Sequence, residues 1–338
     1  MIIEQHDIEQ ALNCYGIEPG DIERITIGLI NATWRITSAT GDVYALQRVN
    51  PLFPPEVNDD IADVTAHLRS KGMACPRIHP ARNGNFSVSV NGRVFRLLSW
   101  LDGRIHSSVV DTATAAAAGA VLARFHLALR DFPREFRRTR AGVHDLARHL
   151  RTLREALTEH RNHGRYGVIK PFAERILDAA SRLPQHQYGP RFIVHGDPKI
   201  NNVVFSVAGN DAIAMIDLDT VGPGMLFDEL GDAVRSWCNP TGEDDPDAVF
   251  DYPLFKAVIA GYREVATGVE ELTESAALAA GVRISVELSA RFCADALNEC
   301  YFGWDSARFG SASMHNEIRA RSQFNLAAAM EQRLHDAR

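Results

Sequence analysis

The chain has 338 residues, 46% of them hydrophobic and 23% charged, an ordinary globular composition that excludes disordered, fibrous and membrane-embedded classes. Its 36 basic residues stand against 43 acidic ones, a formal charge of -7, so neither nucleic acid nor an anionic membrane is expected as a partner. Cys14, Cys75, Cys238, Cys293 and Cys300 form no C-x-x-C pair, and no apolar run approaches the roughly 20 residues that span a bilayer; reduced thiols and a cytoplasmic location are the expectation.

In chain order, a short helix over Ile8–Tyr15 precedes strand-like runs at Ile25–Ile27, Thr33–Ser38, Val43–Val49, Ser87–Val90 and Val94–Ser99. Thr40-Gly41-Asp42 and Asn91-Gly92 supply the turns. Between these runs, Ile61, Val64 and Leu68 recur at helical spacing within Val57–Lys71, which stops at Gly72. After Gly103 the composition turns helical, with predicted helices at Thr112–Leu129, Val143–Leu157, Pro171–Leu183, Tyr252–Ala266, Leu272–Cys300 and His315–Asp336. Only Phe192–Val194, Val203–Phe205 and Ala214–Asp217 read as strands there, and Gly222-Pro223-Gly224 reads as a turn leading to a helix that carries Asp228. The pattern predicts an α+β protein of two lobes sharing a cleft, a natural place for a ligand.

The most informative segment is His195-Gly196-Asp197-Pro198-Lys199-Ile200-Asn201-Asn202, followed by a strand and, beyond the next strand, by Asp217. The form H-x-D-x-K-x-x-N with a later strand ending in Asp is the layout of phosphoryl-transfer catalytic and metal loops. Such chemistry rests on positioning and charge neutralisation, so Asp197 is the candidate base toward an acceptor hydroxyl and Lys199 the cation for the transferred phosphate. Asn202 and Asp217 offer the hard oxygen donors that Mg²⁺ prefers. Each residue alone would be a turn former or cap; their common register points to the chemistry. His195 reads instead as a buried histidine that holds the loop.

Taken together, Leu29 to Trp34, Tyr44 to Asn50, His195 to Phe205, Ile216 to Val221, Phe227 to Arg235, Arg291 to Phe302 and Ile318 to Phe324 make the chain resemble the aminoglycoside phosphotransferase-like kinase superfamily. That superfamily includes choline kinases and homoserine kinases, and within it the resemblance is closest to the N-acetylhexosamine 1-kinase branch. It implies a bilobal protein-kinase-like fold, with a small β-sheet nucleotide lobe over 1–98, a hinge over 99–103 and a larger, mainly helical lobe over 104–338. The cofactors it implies are ATP and Mg²⁺. Asn31 and Thr33 would cover the phosphates, Ser99 and Leu101 would meet adenine through the hinge backbone, and Asp228 would brace the catalytic loop. Asp217, Thr220, Arg291 and Tyr301 would surround the acceptor. Gln47 stands where many members of the superfamily carry a phosphate-binding Lys or Arg. Arg48 should face the other side of its strand, and Asp59 and Asp60 are the nearest candidates for the carboxylate that usually pairs with that cation.

The expected activity is ATP-dependent phosphorylation of a sugar hydroxyl, by resemblance the anomeric hydroxyl of an N-acetylhexosamine. The alternatives are a kinase of an amino alcohol, a choline-like amine or an aminoglycoside, and, in another class, a nucleotide-binding pseudokinase suggested by Gln47. Arg134, Arg137, Arg138 and Arg140 read as a solvated segment. Trp100, Trp237 and Trp304 read first as packing, with Trp304 the better candidate for stacking on a sugar. The thirteen histidines contain no H-E-x-x-H pattern, so zinc chemistry has no support.

Overall fold

In the computed structural model, residues 2–25, 31–138, 143–184, 191–267 and 272–336 are described. The first lobe opens with helix α1 (Ile2–Tyr15) and continues through strands β1 (Pro19–Ile25), β2 (Ala32–Ser38) and β3 (Val43–Arg48). Helix α2 (Val57–Ser70) then precedes β4 (Ile78–His79), β5 (Val88–Val90) and β6 (Arg93–Ser99). These strands form one antiparallel sheet in the order β1-β2-β3-β6-β4, with β5 also paired to β6. The Asn-Gly signal is borne out: Asn91 and Gly92 take φ values of 49° and 76° between β5 and β6, the left-handed conformations that a two-residue hairpin turn requires.

The remaining elements are β7 (Arg104–Ile105), α3 (Thr112–Ala128), α4 (Leu146–Glu159), α5 (Tyr166–Arg182), β8 (Arg191–Val194), β9 (Val203–Phe205), β10 (Ala212–Met215) and β11 (Gly222–Met225). Helices α6 (Leu226–Trp237), α7 (Tyr252–Val265), α8 (Glu274–Asn298) and α9 (Ala312–Asp336) complete the chain. Asp111, Asp145, Asp251 and Thr273 cap α3, α4, α7 and α8 by accepting from a backbone N–H three residues on, satisfying donors that a helix start leaves open. The expected α+β architecture, with a small sheet lobe before a larger helical one, is what the chain adopts. Among the described residues no helix is long and apolar enough to cross a membrane.

Two apolar cores organise the molecule. The smaller packs α1 residues Ile8, Ala11 and Leu12 on the sheet through Ile36, Leu46 and Leu97. The larger contains α3 to α9, and it also takes in Ile61, Val64 and Leu68 of α2. Helix α2 therefore lies in the sheet lobe by sequence but buries its apolar stripe in the helical lobe, which ties the two together.

Several expectations change. Of the strand expected at Ile25–Ile27, only Ile25 lies among the described residues; β1 reaches it from Pro19, a polar edge that periodicity does not reveal. Gly222-Pro223-Gly224 is no turn: it forms β11, paired with β8. Pro223 is tolerated there because the ribbon has only two strands and the missing N–H need not face a partner. At Gly224 an added Cβ would lie 2.4 Å from Val194 Cγ2. Helix α5 starts at Tyr166, ahead of the expected Pro171, which sits inside it. The cysteines are free, with Cys75, Cys238 and Cys293 buried and Cys14 and Cys300 exposed.

Candidate active site

Two short β-ribbons build the catalytic loop. Strands β9 and β10 pair antiparallel with Val203 opposite Met215, so the hairpin returns Asp217 beside Asn202; Ile216 N donates to Asn202 O at 2.9 Å. Strands β8 and β11 pair with Val194 opposite Gly222, which sets the loop from His195 against the turn that ends at Thr220. Gly196 has φ +79°, and a Cβ there would sit 2.6 Å from Thr220 O, so this close approach needs glycine.

The loop is held from beneath by buried groups. Glu229 on α6 accepts from His195 N at 2.7 Å and from Gly196 N at 2.9 Å. Glu229 thus braces the loop, and Asp228, from which a brace is expected, is buried beside it on the same helix. Burial opposes the charge of Glu229, but hydrogen bonding and charge from His126 outweigh it and keep the carboxyl below its ordinary pKa. His195 is fully buried, its Nε2 lies 2.8 Å from Ile216 O, and its carbonyl accepts from Thr220 Oγ1 at 2.8 Å. These contacts agree with its reading as a structural histidine.

On this frame Lys199 Nζ donates to Asp197 Oδ2 at 2.6 Å. Asn202 Nδ2 donates to the Asp197 carbonyl at 2.8 Å and to Oδ2 at 3.3 Å. With the amide nitrogen committed, the Asn202 oxygen is the end left for a cation. Burial works against ionisation of Asp197, yet the Lys199 charge outweighs it and holds the carboxyl below the usual range, so it is an acceptor at neutral pH. Lys199 is correspondingly raised: burial works against its charge, but the nearby carboxylates of Asp197 and Asp217 outweigh it.

Asp217 takes a left-handed φ of 63°, which short polar residues tolerate. Burial, then the neighbouring charge of Asp219, pushes its pKa up to about 7. A divalent cation would relieve both effects. Among the described residues no three His, Cys, Asp or Glu side chains form a metal cage. The donors expected from the sequence, the Asn202 amide oxygen and the Asp217 carboxylate, are of the kind that suits Mg²⁺, which keeps waters and phosphate oxygens in its shell.

On the sheet side Gln47 lies opposite Thr33 on β2 and opposite Arg96 on β6. Its Nε2 donates to Thr33 Oγ1 at 3.2 Å and its Oε1 accepts from Arg96 Nε at 2.8 Å. Arg48 turns to the other face, over Trp34, as the strand period requires. Arg96 was not singled out by the sequence. Its guanidinium bonds both oxygens of Asp219 and reaches Asn58 Oδ1 at 3.4 Å, while Asn31 Nδ2 donates to Asp219 Oδ2 at 2.6 Å. Asp60, one of the two nearest candidates for the pairing carboxylate that the sequence does not make evident, accepts instead from the backbone N–H groups of Arg137 and Arg138. Arg137 also reaches Asp63 and Arg134 does the same, so this arginine segment docks on α2 and is not merely solvated; Arg140 lies outside the described residues, as do Leu29 and Ile30. Ser99 has its N–H engaged by Arg77 O.

Beside Asp197 lies a cavity of about 900 Å³ bordered by Asp197, Lys199, Thr220, Glu287, Arg291 and Tyr301, among others. The Arg291 guanidinium lies 5.9 Å from the Tyr301 ring and 5.6 Å from the Phe302 ring. His144 Nδ1 is 3.2 Å from Glu287 Oε1; His144 Nε2 and Glu287 Oε2 are buried at the cavity wall with no partner. Burial opposes the charge of His144, but Glu287 outweighs it and raises its pKa. Trp304 is exposed and does not border the cavity; Tyr301 and Phe302 do.

The model of the Phosphotransferase enzyme family matches residues 21–266. A homoserine kinase of Rhodopseudomonas palustris is 26% identical over 210 residues, covering 58% of this chain and 56% of that protein. A homoserine kinase of Methylobacillus flagellatus is 26% identical over 308 residues, covering 87% and 85%. The chain thus spans little more than half of the first relative and most of the second. An aminoglycoside phosphotransferase from Alicyclobacillus acidocaldarius has a similar structure, with a TM-score of 0.65 at 15% identity over 97% of this chain and 96% of that one. The two-lobed architecture is therefore kinase-like.

Proposed function

The chain belongs to the Phosphotransferase enzyme family, and from that premise we propose that it transfers the γ-phosphate of ATP to a hydroxyl of a small organic acceptor with Mg²⁺ bound. One observation carries this: Asp197, an ionised carboxylate at the cavity wall, is held directly by Lys199 and Asn202, with Asp217 returned beside them. Asp197 orients the acceptor hydroxyl and takes its proton as the new P–O bond forms and the bond to the ADP leaving group breaks. Lys199 places a positive charge toward the transferred group. Asn202 and Asp217 would hold the magnesium ion, which when bound neutralises charge on the phosphates. Thr33, Asn31 and Gln47 would line the phosphate side, with Ser99 and Leu101 at adenine.

Two acceptor readings rest on different observations. Relatives named homoserine kinase support an amine-bearing alcohol of the amino-acid type, the alternative weighed from the sequence. The makeup of the cavity supports a neutral polyhydroxylated acceptor such as an N-acetylhexosamine. Asp197, Asp232, Glu243, Asp244 and Glu287 each already face a cationic or histidine side chain, so an ammonium group would have to rely on Asp245, a lining carboxylate that accepts from Asp247 N. Thr220, Arg291 and Tyr301 would then meet ring hydroxyls or an acyl carbonyl. A coupled ADP-release screen over sugars, homoserine and amino alcohols, with ³¹P NMR of the product, tests both. Turnover with homoserine or amines alone overturns the sugar reading, turnover with sugars alone overturns the amine reading, and no acceptor-dependent ADP release overturns the kinase.

A further inference from the structure

Gln47 carries no charge, though by resemblance it stands where many phosphotransferases carry a cation for the nucleotide's phosphates. The structure places a cation one strand over. Arg96 stands opposite Gln47 across the β3–β6 pairing, and its Nε is fixed on Gln47 Oε1 at 2.8 Å. Its forked Nη1 and Nη2 grip the carboxylate of Asp219, two residues beyond Asp217, and both side chains are nearly fully buried, at 1% and 2% exposure. The grip therefore crosses the cleft, from the sheet to the loop expected to hold magnesium. A guanidinium fork binds carboxylate and phosphate with the same geometry, so Asp219 fills the place on Arg96 that a phosphate would take. Asn58 of α2 supports the guanidinium from the side.

Resting on the nucleotide-binding reading above, we propose that Arg96 is the residue that receives the nucleotide's phosphates, exchanging the Asp219 carboxylate for them when ATP binds. Gln47 then serves to aim Arg96. A clamp that only joined the lobes would affect all nucleosides alike, whereas a phosphate site acts on ATP and spares adenosine.

The test is calorimetric titration of the full chain with ATP and with adenosine, in EDTA so that metal ligation plays no part. Arg96→Met should keep its adenosine affinity and lose about tenfold to a hundredfold in ATP affinity, the size of a lost charge-assisted contact. Asp219→Asn, which loosens the grip, should bind metal-free ATP several-fold more tightly than the parent chain. Should Arg96→Met fail to fold, Arg96→Lys decides: it keeps the charge without the fork, and its ratio of ATP to adenosine affinity should fall about tenfold. Unchanged ATP affinity in the arginine variants, a parallel loss of ATP and adenosine, or no gain in Asp219→Asn overturns the inference. A parent chain that binds neither ligand overturns the nucleotide reading itself, a separate result.

Discussion

Replacing Glu229 with Gln keeps the volume beneath the catalytic loop and changes one acceptor oxygen into an NH₂ group. Both carboxylate oxygens now receive a backbone N–H, from His195 at 2.7 Å and Gly196 at 2.9 Å, and the side chain is 1% exposed. In Glu229→Gln one N–H would face another donor, while the other would lose its charged partner. Hydrogen bonds to charged groups contribute about 1.5–3 kcal/mol, and a buried unsatisfied donor costs about 1–3 kcal/mol, so the variant should lose about 3 kcal/mol of stability. That is a large share of the roughly 5–15 kcal/mol typical of folded proteins. The same carboxyl lies below the ordinary glutamate value of 4.5 when folded. Its contribution is therefore full above that value and fades as pH falls through the depressed folded pKa. Urea unfolding at pH 7 and at several acidic pH values measures both effects. The parent chain should lose stability on acidification more steeply than the variant, and a neutral-pH loss below about 1 kcal/mol would refute the brace.

Because the pKa of Asp217 is pushed up to about 7 in the metal-free chain, a divalent ion must displace its proton at lower pH. Mn²⁺ affinity without nucleotide, followed by electron paramagnetic resonance, should rise up to about tenfold per pH unit below that value and level off above it. A flat profile would remove Asp217 from the metal site, and Asp217→Asn should abolish the dependence. Arg291→Met should raise the acceptor KM about tenfold and leave the ATP KM alone; equal effects on both would mean that Arg291 acts by packing on Tyr301 and Phe302.

The catalytic loop was legible because its chemistry is local. Asp197, Lys199 and Asn202 lie within six residues, and Asp217 joins them through one hairpin whose strands are short, apolar and bounded by turns. Most helices were legible for the same reason, since apolar spacing and caps are properties of one segment. Arg96 escaped notice because an arginine in the apolar strand Arg93–Ser99 has no motif; only the register with Gln47 and the fold that brings Asp219 across the cleft give it meaning. Glu229 was missed because its role depends on how α6 packs under the loop, which no local pattern in the sequence encodes. The β11 strand hid behind Pro and Gly, whose turn preference was overruled by pairing with β8. Helix α2 reads correctly as a helix, but which core receives its apolar stripe is a tertiary fact.

The claim that Asp197 acts as base in phosphoryl transfer is tested most directly by Asp197→Asn, assayed for ATP affinity by calorimetry and for acceptor-dependent ADP release in parallel. The account predicts ATP affinity within about threefold of the parent and turnover reduced by at least about 10². Near-normal turnover in that variant would contradict it.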